Sequence, residues 1–109
     1  MDNFKIIYKI LKILEQAMDY EEFDYSLISA EQLNITPERL NNLLIQMQKS
    51  GYIEGLRIYS FRSDKGIERV YQPIQPKITI KGLEYLSENS MMKKVHETLK
   101  GVKEIIPLP

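Results

Sequence analysis

The sequence predicts an α+β fold, a winged helix-turn-helix with a three-helix core, a β-hairpin wing and an additional C-terminal helix. Three observations lead to this prediction. Two capped helical segments follow one another across a short turn at Asn34. Alternating β-branched and aromatic residues over 52–71, interrupted by turn residues, predict a hairpin after them. A further helical segment begins at Thr79 and completes the order helix, helix, hairpin, helix.

Helical periodicity begins at the N-terminus, where residues 3–18 carry a broad apolar face. Asp2 or Asn3 caps the start of this helix. The side chains expected on the buried face are Phe4, Ile6, Ile7, Ile10, Leu11, Ile13, Leu14 and Met18. The acidic segment 19–24 then breaks the pattern, and its aromatic residues are expected to pack on the core as a short extended piece.

A short second helix is predicted just before the turn. Ser29 and Gln32 have the spacing of a capping box, in which the serine accepts a backbone N–H and the glutamine reaches back. The helix is expected to run through Leu33. Asn34 tolerates the left-handed conformation that ends such a helix, and Ile35 then fills the junction with the next one.

The third helix, over residues 36–50, has the clearest boundaries in the chain. Thr36 is its cap, Pro37 occupies the first helical position, and Gly51 ends it. Its core face is expected to hold Leu40, Leu43, Leu44 and Met47. The opposite side then presents Glu38, Asn42, Ile45, Gln46 and Lys49 to solvent, with Arg39 and Gln48 at the flanks.

Beyond this helix the pattern changes to that of strands. Residues 52–59 and 67–71 are the predicted strands, and the turn cluster 63–66 joins them. Pro73 and Pro76 are expected to end the pairing, since proline cannot donate to a ladder.

The C-terminal third returns to helical periodicity. Thr79 is the expected cap of a helix that turns Leu83 and Leu86 inward. The ring of Tyr85 is expected to pack there too, with its hydroxyl near solvent. A last amphipathic helix is predicted over 91–106, and its apolar stripe consists of Met92, Val95, Leu99, Val102 and Ile106.

Length and composition limit the class of protein. A chain of 109 residues predicts one domain. We expect the winged-helix domain over residues 1–90, with residues 91–109 as a C-terminal amphipathic helix and tail packed on it. No apolar run reaches the roughly 20 residues of a bilayer span, and the N-terminus lacks a signal-peptide pattern. With no cysteine in the chain, these features predict a cytoplasmic protein without disulfides.

The residues that enzyme chemistry needs are sparse. His96 is the only histidine and there is no cysteine, so a histidine or thiolate metal cluster lacks partners. The five glycines are too scattered for a phosphate loop. Glu21, Glu22 and Asp24 lack the spacing of a calcium loop and are interpreted as a solvated acidic segment. We expect no catalytic activity, no metal, no cofactor and no small-molecule ligand.

Charge is segregated along the chain although the formal net charge is zero. Residues 1–35 hold seven acidic residues and three lysines, whereas residues 55–81 hold six basic residues and two acidic ones. The predicted hairpin therefore carries a local positive field, which favours a polyanionic partner. A hairpin charged only for solubility is the alternative interpretation.

The outward side of helix 36–50 has residues suited to reading duplex DNA. Asn42 and Gln46 can make bidentate contacts with adenine, and Arg39 with guanine. Glu38 lies on the same side, and Lys49 is suited to a phosphate. The hairpin residues predicted to contact the DNA backbone are Arg57, Arg62, Lys65 and Arg69. The predicted function is a regulator whose helix 36–50 reads the major groove while hairpin 55–72 contacts phosphates.

A second function fits the same face. Glu38 would repel phosphate, and exposed Ile45 is unusual in a groove-reading surface. Winged helices also act as protein-binding modules, so the alternative is an adaptor that binds no DNA. The last predicted helix packs either on its own domain, which we favour, or against a second copy, so a homodimer stays open.

Three segments carry a family resemblance. They are Gly51-Tyr52-Ile53, residues 79–90 with the pattern KGxxYLxEN, and the lysine-rich residues 92–100. They resemble the YjcQ-like family, small winged-helix proteins of Gram-positive bacteria and their phages. The likeness covers nearly the whole chain and is densest in the last third. It implies a winged-helix fold and a prophage origin, and it carries over no catalytic residue.

Overall fold

The computed structural model describes residues 2–60 and 66–89, which form four α-helices, a short 3-10 turn and four short strands. The elements are α1 (Asn3–Ala17), the 3-10 turn (Tyr25–Leu27), α2 (Ala30–Leu33), α3 (Pro37–Lys49), β1 (Ile53–Glu54), β2 (Ile58–Ser60), β3 (Glu68–Val70), β4 (Lys77–Ile78) and α4 (Ile80–Glu88). The predicted helix over 91–106 and most of the hairpin turn lie outside the described residues.

Helix α1 is capped by Asp2, whose carboxylate accepts the Phe4 N–H at 2.9 Å. The residues that it buries most are Ile6, Tyr8, Ile10, Leu11 and Leu14. The prediction was wrong for two members of the apolar face, because Phe4 is 61% exposed and Met18 is 62% exposed. They lie at the two ends of the helix, so the burial is concentrated on its middle turns, where α1 packs against α3, β4 and α4.

The predicted caps of α2 and α3 and the turn between them are confirmed. The Ser29 hydroxyl accepts the Gln32 N–H at 3.1 Å and caps α2. Asn34 has a φ of 59° and ends α2 in the left-handed conformation. The Thr36 hydroxyl then accepts the Arg39 N–H at 3.1 Å and caps α3. These local bonds fix the turn between α2 and α3.

The strands form two separate antiparallel pairs, β1 with β4 and β2 with β3. The predicted strand 52–59 is divided, because Gly55 has a φ of +97° and the chain leaves the ladder between β1 and β2. The sequence predicted that strand pairing ends at Pro76, but β4 directly after this proline pairs with β1. The prediction was wrong there because a two-residue strand after a proline has no alternation to reveal it.

Two side-chain amides of α3 hold β3 and the segment that leads into β2 against that helix. Asn41 donates to the carbonyl of Glu68 at 2.9 Å and accepts the N–H of Val70 at 3.0 Å. Gln48 donates to the carbonyl of Leu56 at 3.1 Å and accepts its N–H at 2.8 Å. Each amide thus pairs with backbone groups of the hairpin as a neighbouring strand would.

Helix α4 is attached where α3 meets β1. The Thr79 hydroxyl donates to the carbonyl of Gly51 at 2.5 Å and accepts the Gly82 N–H at 3.0 Å. Gly82 is buried against the Tyr52 carbonyl and Ile78, with no space for a Cβ. The junction is a close backbone contact that only glycine permits.

Tyrosine rings cover this junction. The rings of Tyr52 and Tyr85 meet edge to face with centroids 5.3 Å apart, and the Lys81 ammonium lies 5.2 Å from the Tyr52 centroid. Burial raises the pKa of the Tyr85 hydroxyl, with smaller contributions from Tyr52 and Asp2. As predicted, Leu86 is buried and Tyr85 half-buried.

One apolar core joins all these elements. Its fully or nearly buried members are Ile6, Tyr8, Ile10, Leu11, Leu14, Ile28, Leu33, Leu40, Leu44, Ile45, Met47, Ile53, Leu56, Val70, Ile78 and Leu86. The architecture is α+β, with four helices and two small antiparallel sheets, and it is compatible with a winged helix. Within the described part of the chain, no helix has the length and apolar character that crossing a membrane requires.

Asn41→Ala should destabilise the protein by about 1–3 kcal/mol, because it leaves the Val70 N–H and the Glu68 carbonyl without their partner. Urea denaturation measures the free energy of unfolding. Asn42→Ala, at the exposed neighbouring position, is the matched control and should change it by less than about 0.5 kcal/mol. Equal effects of the two substitutions would contradict the role of Asn41.

Gly82→Ala should lower the free energy of unfolding by about 1–3 kcal/mol, because the new methyl group would lie 2.7 Å from Ile78 Cγ1 and closer still to the Tyr52 carbonyl. Thermal and urea denaturation test this. Glu84→Ala, on the exposed side of α4, is the control and should leave stability nearly unchanged. A neutral Gly82→Ala would show that α4 can move away from Tyr52 at no cost.

Candidate nucleic-acid interface

One side of α3 is open to solvent along its whole length. The five predicted helix residues on or beside it are all exposed: Glu38, Arg39, Asn42, Gln46 and Lys49. The opposite side lies in the core, with Leu40, Leu44 and Met47 buried and Leu43 half-buried. Helical geometry therefore places Glu38, Asn42, Gln46 and Lys49 in one row that faces away from the core; we call this row the outward face of α3.

Two residues assigned to this side of α3 lie elsewhere. Ile45 was expected to be exposed, but only 4% of it is accessible. It lies beneath the hairpin, since α3 packs against β3. Gln48, expected at a flank, is engaged with the backbone of Leu56. Both corrections have one cause, which is that the hairpin covers a side of α3 that the periodicity of the helix alone leaves open.

A cleft of about 410 Å³ runs between α3 and β3. Its walls consist of Glu38, Asn41, Asn42, Ile45, Gln46, Gly66, Ile67, Glu68 and Arg69. The structure thus brings four of the predicted site residues together, three from the helix and Arg69 from the hairpin. Among the described residues that line this cleft, two carboxylates, Glu38 and Glu68, accompany one arginine.

Lys49 already has a partner. Its Nζ lies 2.9 Å from a carboxylate oxygen of Glu68, and both side chains are partly exposed. An ion pair this accessible contributes little to stability. It does place a negative charge beside the one lysine of the outward face, where a phosphate would have to compete with it.

Arg39 is also engaged within the molecule. Its guanidinium donates to the side-chain oxygen of Asn3 at 3.1 Å, which links the start of α3 to the start of α1. Its side chain is exposed. A contact with guanine would therefore require Arg39 to exchange this hydrogen bond for one with the base.

The hairpin arginines are divided between two positions. Arg69 is half-buried and lines the cleft beside α3. Arg57 is exposed at the other end of the hairpin, with its Cζ 5.3 Å from the centroid of the Tyr71 ring. Arg62 and Lys65, predicted at the hairpin tip, lie outside the described residues.

Sequence reasoning missed two residues that shape this site. Asn41 holds the hairpin in place, and Glu68 forms an ion pair with Lys49. Asn41 follows directly after a core leucine, so its half-buried position could have been inferred from helical periodicity. Its partners could not, because they lie 27 and 29 residues further along the chain.

The acidic segment near α2 has a local structural role. The carboxylate of Asp24 accepts the Ser26 hydroxyl at 2.6 Å and the Ser26 N–H at 3.0 Å. The hydroxyl, followed by the backbone bond, holds the pKa of Asp24 below its usual value. No group of three or more metal-binding side chains occurs in residues 2–60 and 66–89.

Comparison with known proteins gives a family but no named activity. The family model described as YjcQ protein matches residues 8–105. The solution NMR structure of the YjcQ protein from Bacillus subtilis is similar, with 24% sequence identity, coverage of 78% of this chain and 92% of that chain, and a TM-score of 0.45. A search of the curated proteins finds no match. Because the family model covers nearly the whole chain, the protein belongs to the YjcQ family.

Proposed function

We propose that this protein binds duplex DNA as a winged helix-turn-helix transcription regulator of phage or prophage type. Helix α3 enters the major groove with its outward face, and the hairpin lies against the flanking phosphates. The observation that carries the proposal is the exposed row on α3, which lies beside a hairpin held in a fixed position by Asn41 and Gln48.

The chemistry of the outward face suits base recognition. Asn42 and Gln46 are separated by one helical turn and are both exposed, so their amides project in the same direction. A side-chain amide can donate to and accept from the adenine edge in the major groove. Because Asn41 and Gln48 are used to hold the hairpin, Asn42 and Gln46 are the amides of α3 that remain for a base.

The charge of the site predicts weak binding that is sensitive to salt. Lys49 is paired with Glu68, and Arg69 lines the same cleft as Asn42 and Gln46. Few phosphates can be neutralised by one such surface, and each one contributes to the salt dependence of the affinity. A homodimer would double these contacts and bring a second α3 to the next half-site.

A protein-binding adaptor is the second candidate function. The observation that favours it is the pair of carboxylates, Glu38 and Glu68, in the cleft beside Asn42 and Gln46. Carboxylates at a DNA interface repel phosphates, whereas the polar rim of a protein interface accommodates exposed charged side chains. Such an adaptor would not be retained by any duplex, even at low salt.

Selection from a random duplex library at low salt, followed by sequencing, separates the two candidates. A DNA-binding regulator should enrich a motif that contains adenine at one or two fixed positions. The same duplex should be released steeply as salt is raised to the physiological range. Recovery of no motif, together with no mobility shift on any duplex, would favour the adaptor.

The double substitution Asn42→Ala with Gln46→Ala should weaken binding to the selected motif by about 1–3 kcal/mol for each pair of hydrogen bonds to adenine that it removes. Binding to unrelated duplex should change little, because neither amide carries charge. Fluorescence anisotropy with both duplexes measures the difference. A decrease of equal size on both duplexes would contradict base reading by these residues.

Glu68→Gln should strengthen duplex binding, because it releases Lys49 for a phosphate. The slope of log affinity against log salt should become steeper by about 0.9, the value for one added phosphate contact. Glu84→Gln on α4 removes the same charge and is the control. If both variants change the slope equally, the change in net charge explains the effect, and release of Lys49 from Glu68 does not contribute.

A further inference from the structure

The side of the hairpin opposite Val70 and Glu68 carries two tyrosines and two arginines. Tyr59 and Arg69 are direct cross-strand partners. Arg57 and Tyr71 lie two residues from this pair along β2 and β3, away from the hairpin turn. The Tyr71 N–H donates to the Arg57 carbonyl at 2.8 Å. Side chains of cross-strand partners project to the same side, and so do alternate residues along a strand. These four side chains therefore share one side, here called the tyrosine–arginine face.

The neighbouring residues of β3 show that this face is distinct from the one that contacts α3. Val70 is buried in the core, and Glu68 reaches Lys49 on α3. They alternate with Arg69 along the strand and so project to the other side. The tyrosine–arginine face is thus separate from the outward face of α3.

The four side chains are close together, with Arg57 and Tyr71 exposed and Tyr59 and Arg69 half-buried. The rings of Tyr59 and Tyr71 have centroids 4.4 Å apart at an angle of 47°, and Arg57 lies over the Tyr71 ring. Tyr71 is 47% exposed. Within the described residues, no carboxylate lies within salt-bridge distance of Arg57 or Arg69. Both positive charges therefore remain uncompensated by a direct ion pair in this part of the chain.

A second cleft, of about 560 Å³, adjoins this face and shares Tyr59 and Arg69 with it. Its other walls include Tyr25 and Ser29 near α2, Pro37 and Asn41 of α3, and Gln72 and Pro73 after β3. Among the described residues that line it there is no aspartate or glutamate, whereas those of the cleft between α3 and β3 include two glutamates. It offers apolar walls, hydroxyls and amides, together with one arginine.

We propose that the tyrosine–arginine face and its adjoining cleft bind single-stranded nucleic acid. Aromatic rings stack on unpaired bases of any sequence, and arginine contributes both by stacking and by binding phosphate. Bases in a duplex are already stacked on one another, so this arrangement suits a strand whose bases are free. The second cleft accepts a base that is turned out of the strand. Its apolar walls contact the ring of the base, and its polar groups bond to the edge of the base.

The two sites share Arg69, which lines both clefts, but they differ in their other side chains. Neither Tyr71 nor Arg57 belongs to the cleft that holds Asn42 and Gln46. Loss of one binding activity therefore need not accompany loss of the other. A variant with Asn42→Ala and Gln46→Ala should bind single strands as the unaltered protein does.

The test is fluorescence anisotropy with labelled oligo-dT and oligo-rU of about 15 nucleotides, close to the largest site sizes of small single-strand-binding folds. The full chain should bind at low salt. Tyr71→Ala should weaken binding at least about fivefold, because it removes the ring on which one base stacks, and Tyr71→Phe should retain binding. Circular dichroism melting of both variants establishes that the fold is intact.

Arg57→Gln should weaken binding and make the salt slope shallower by about 0.7, the value for one phosphate of a single strand. Lys77→Gln is the matched control, since Lys77 is an exposed cation on β4, in the other sheet. It should have a much smaller effect. Binding of either oligomer supports the proposal. Binding of only one of them identifies the strand as DNA or as RNA.

Three results would overturn the proposal. One is the absence of an anisotropy change with either oligomer at low salt. Another is unaltered binding by a folded Tyr71→Ala variant. The third is an equal weakening by Lys77→Gln and Arg57→Gln, which would show attraction to overall charge rather than to this face.

Discussion

Two side-chain amides on α3 determine where the hairpin lies, and both candidate surfaces depend on them. Asn41 and Gln48 each use a donor and an acceptor on backbone groups of the hairpin segment. Backbone groups that are partly buried need partners, and at these positions a helix side chain supplies them. The hairpin is therefore held at two points against α3, instead of extending freely into solvent. Its position in turn decides which side chains of α3 remain exposed.

This arrangement gives the hairpin two chemically different sides. Toward α3 it presents Val70 to the core and Glu68 to Lys49. On its opposite side it presents Arg57 and Tyr71. Among the described residues, the arginines of the hairpin therefore do not form one continuous surface with the outward face of α3.

The pattern KGxxYLxEN, in which the family resemblance is densest, has a structural explanation. Gly82 permits the close approach of α4 to the Tyr52 carbonyl, and Lys81 lies over the Tyr52 ring. The Thr79 hydroxyl joins the cap of α4 to Gly51 at the end of α3. These residues attach α4 to the junction of α3 and β1. The pattern thus identifies the fold, and the side chains suited to nucleic acid lie outside it.

The sequence by itself determined the features that depend on neighbours in the chain. Caps at Ser29, Thr36 and Thr79, and the left-handed turn at Asn34, were all predictable, because each requires a particular residue within a few positions. The exposure of the helix residues of the candidate site also follows from helical periodicity, once the core leucines are recognised.

Only the tertiary structure decided which elements meet and so which side chains pair. It buried Ile45 beneath the hairpin, paired β4 with β1, and joined Lys49 to Glu68, 19 residues away. It also brought Tyr59 beside Tyr71. Each of these contacts depends on strand register and on how the hairpin packs against α3. The free energy of such packing comes from contacts between residues that are distant in the chain. A local sequence pattern therefore does not predict these contacts.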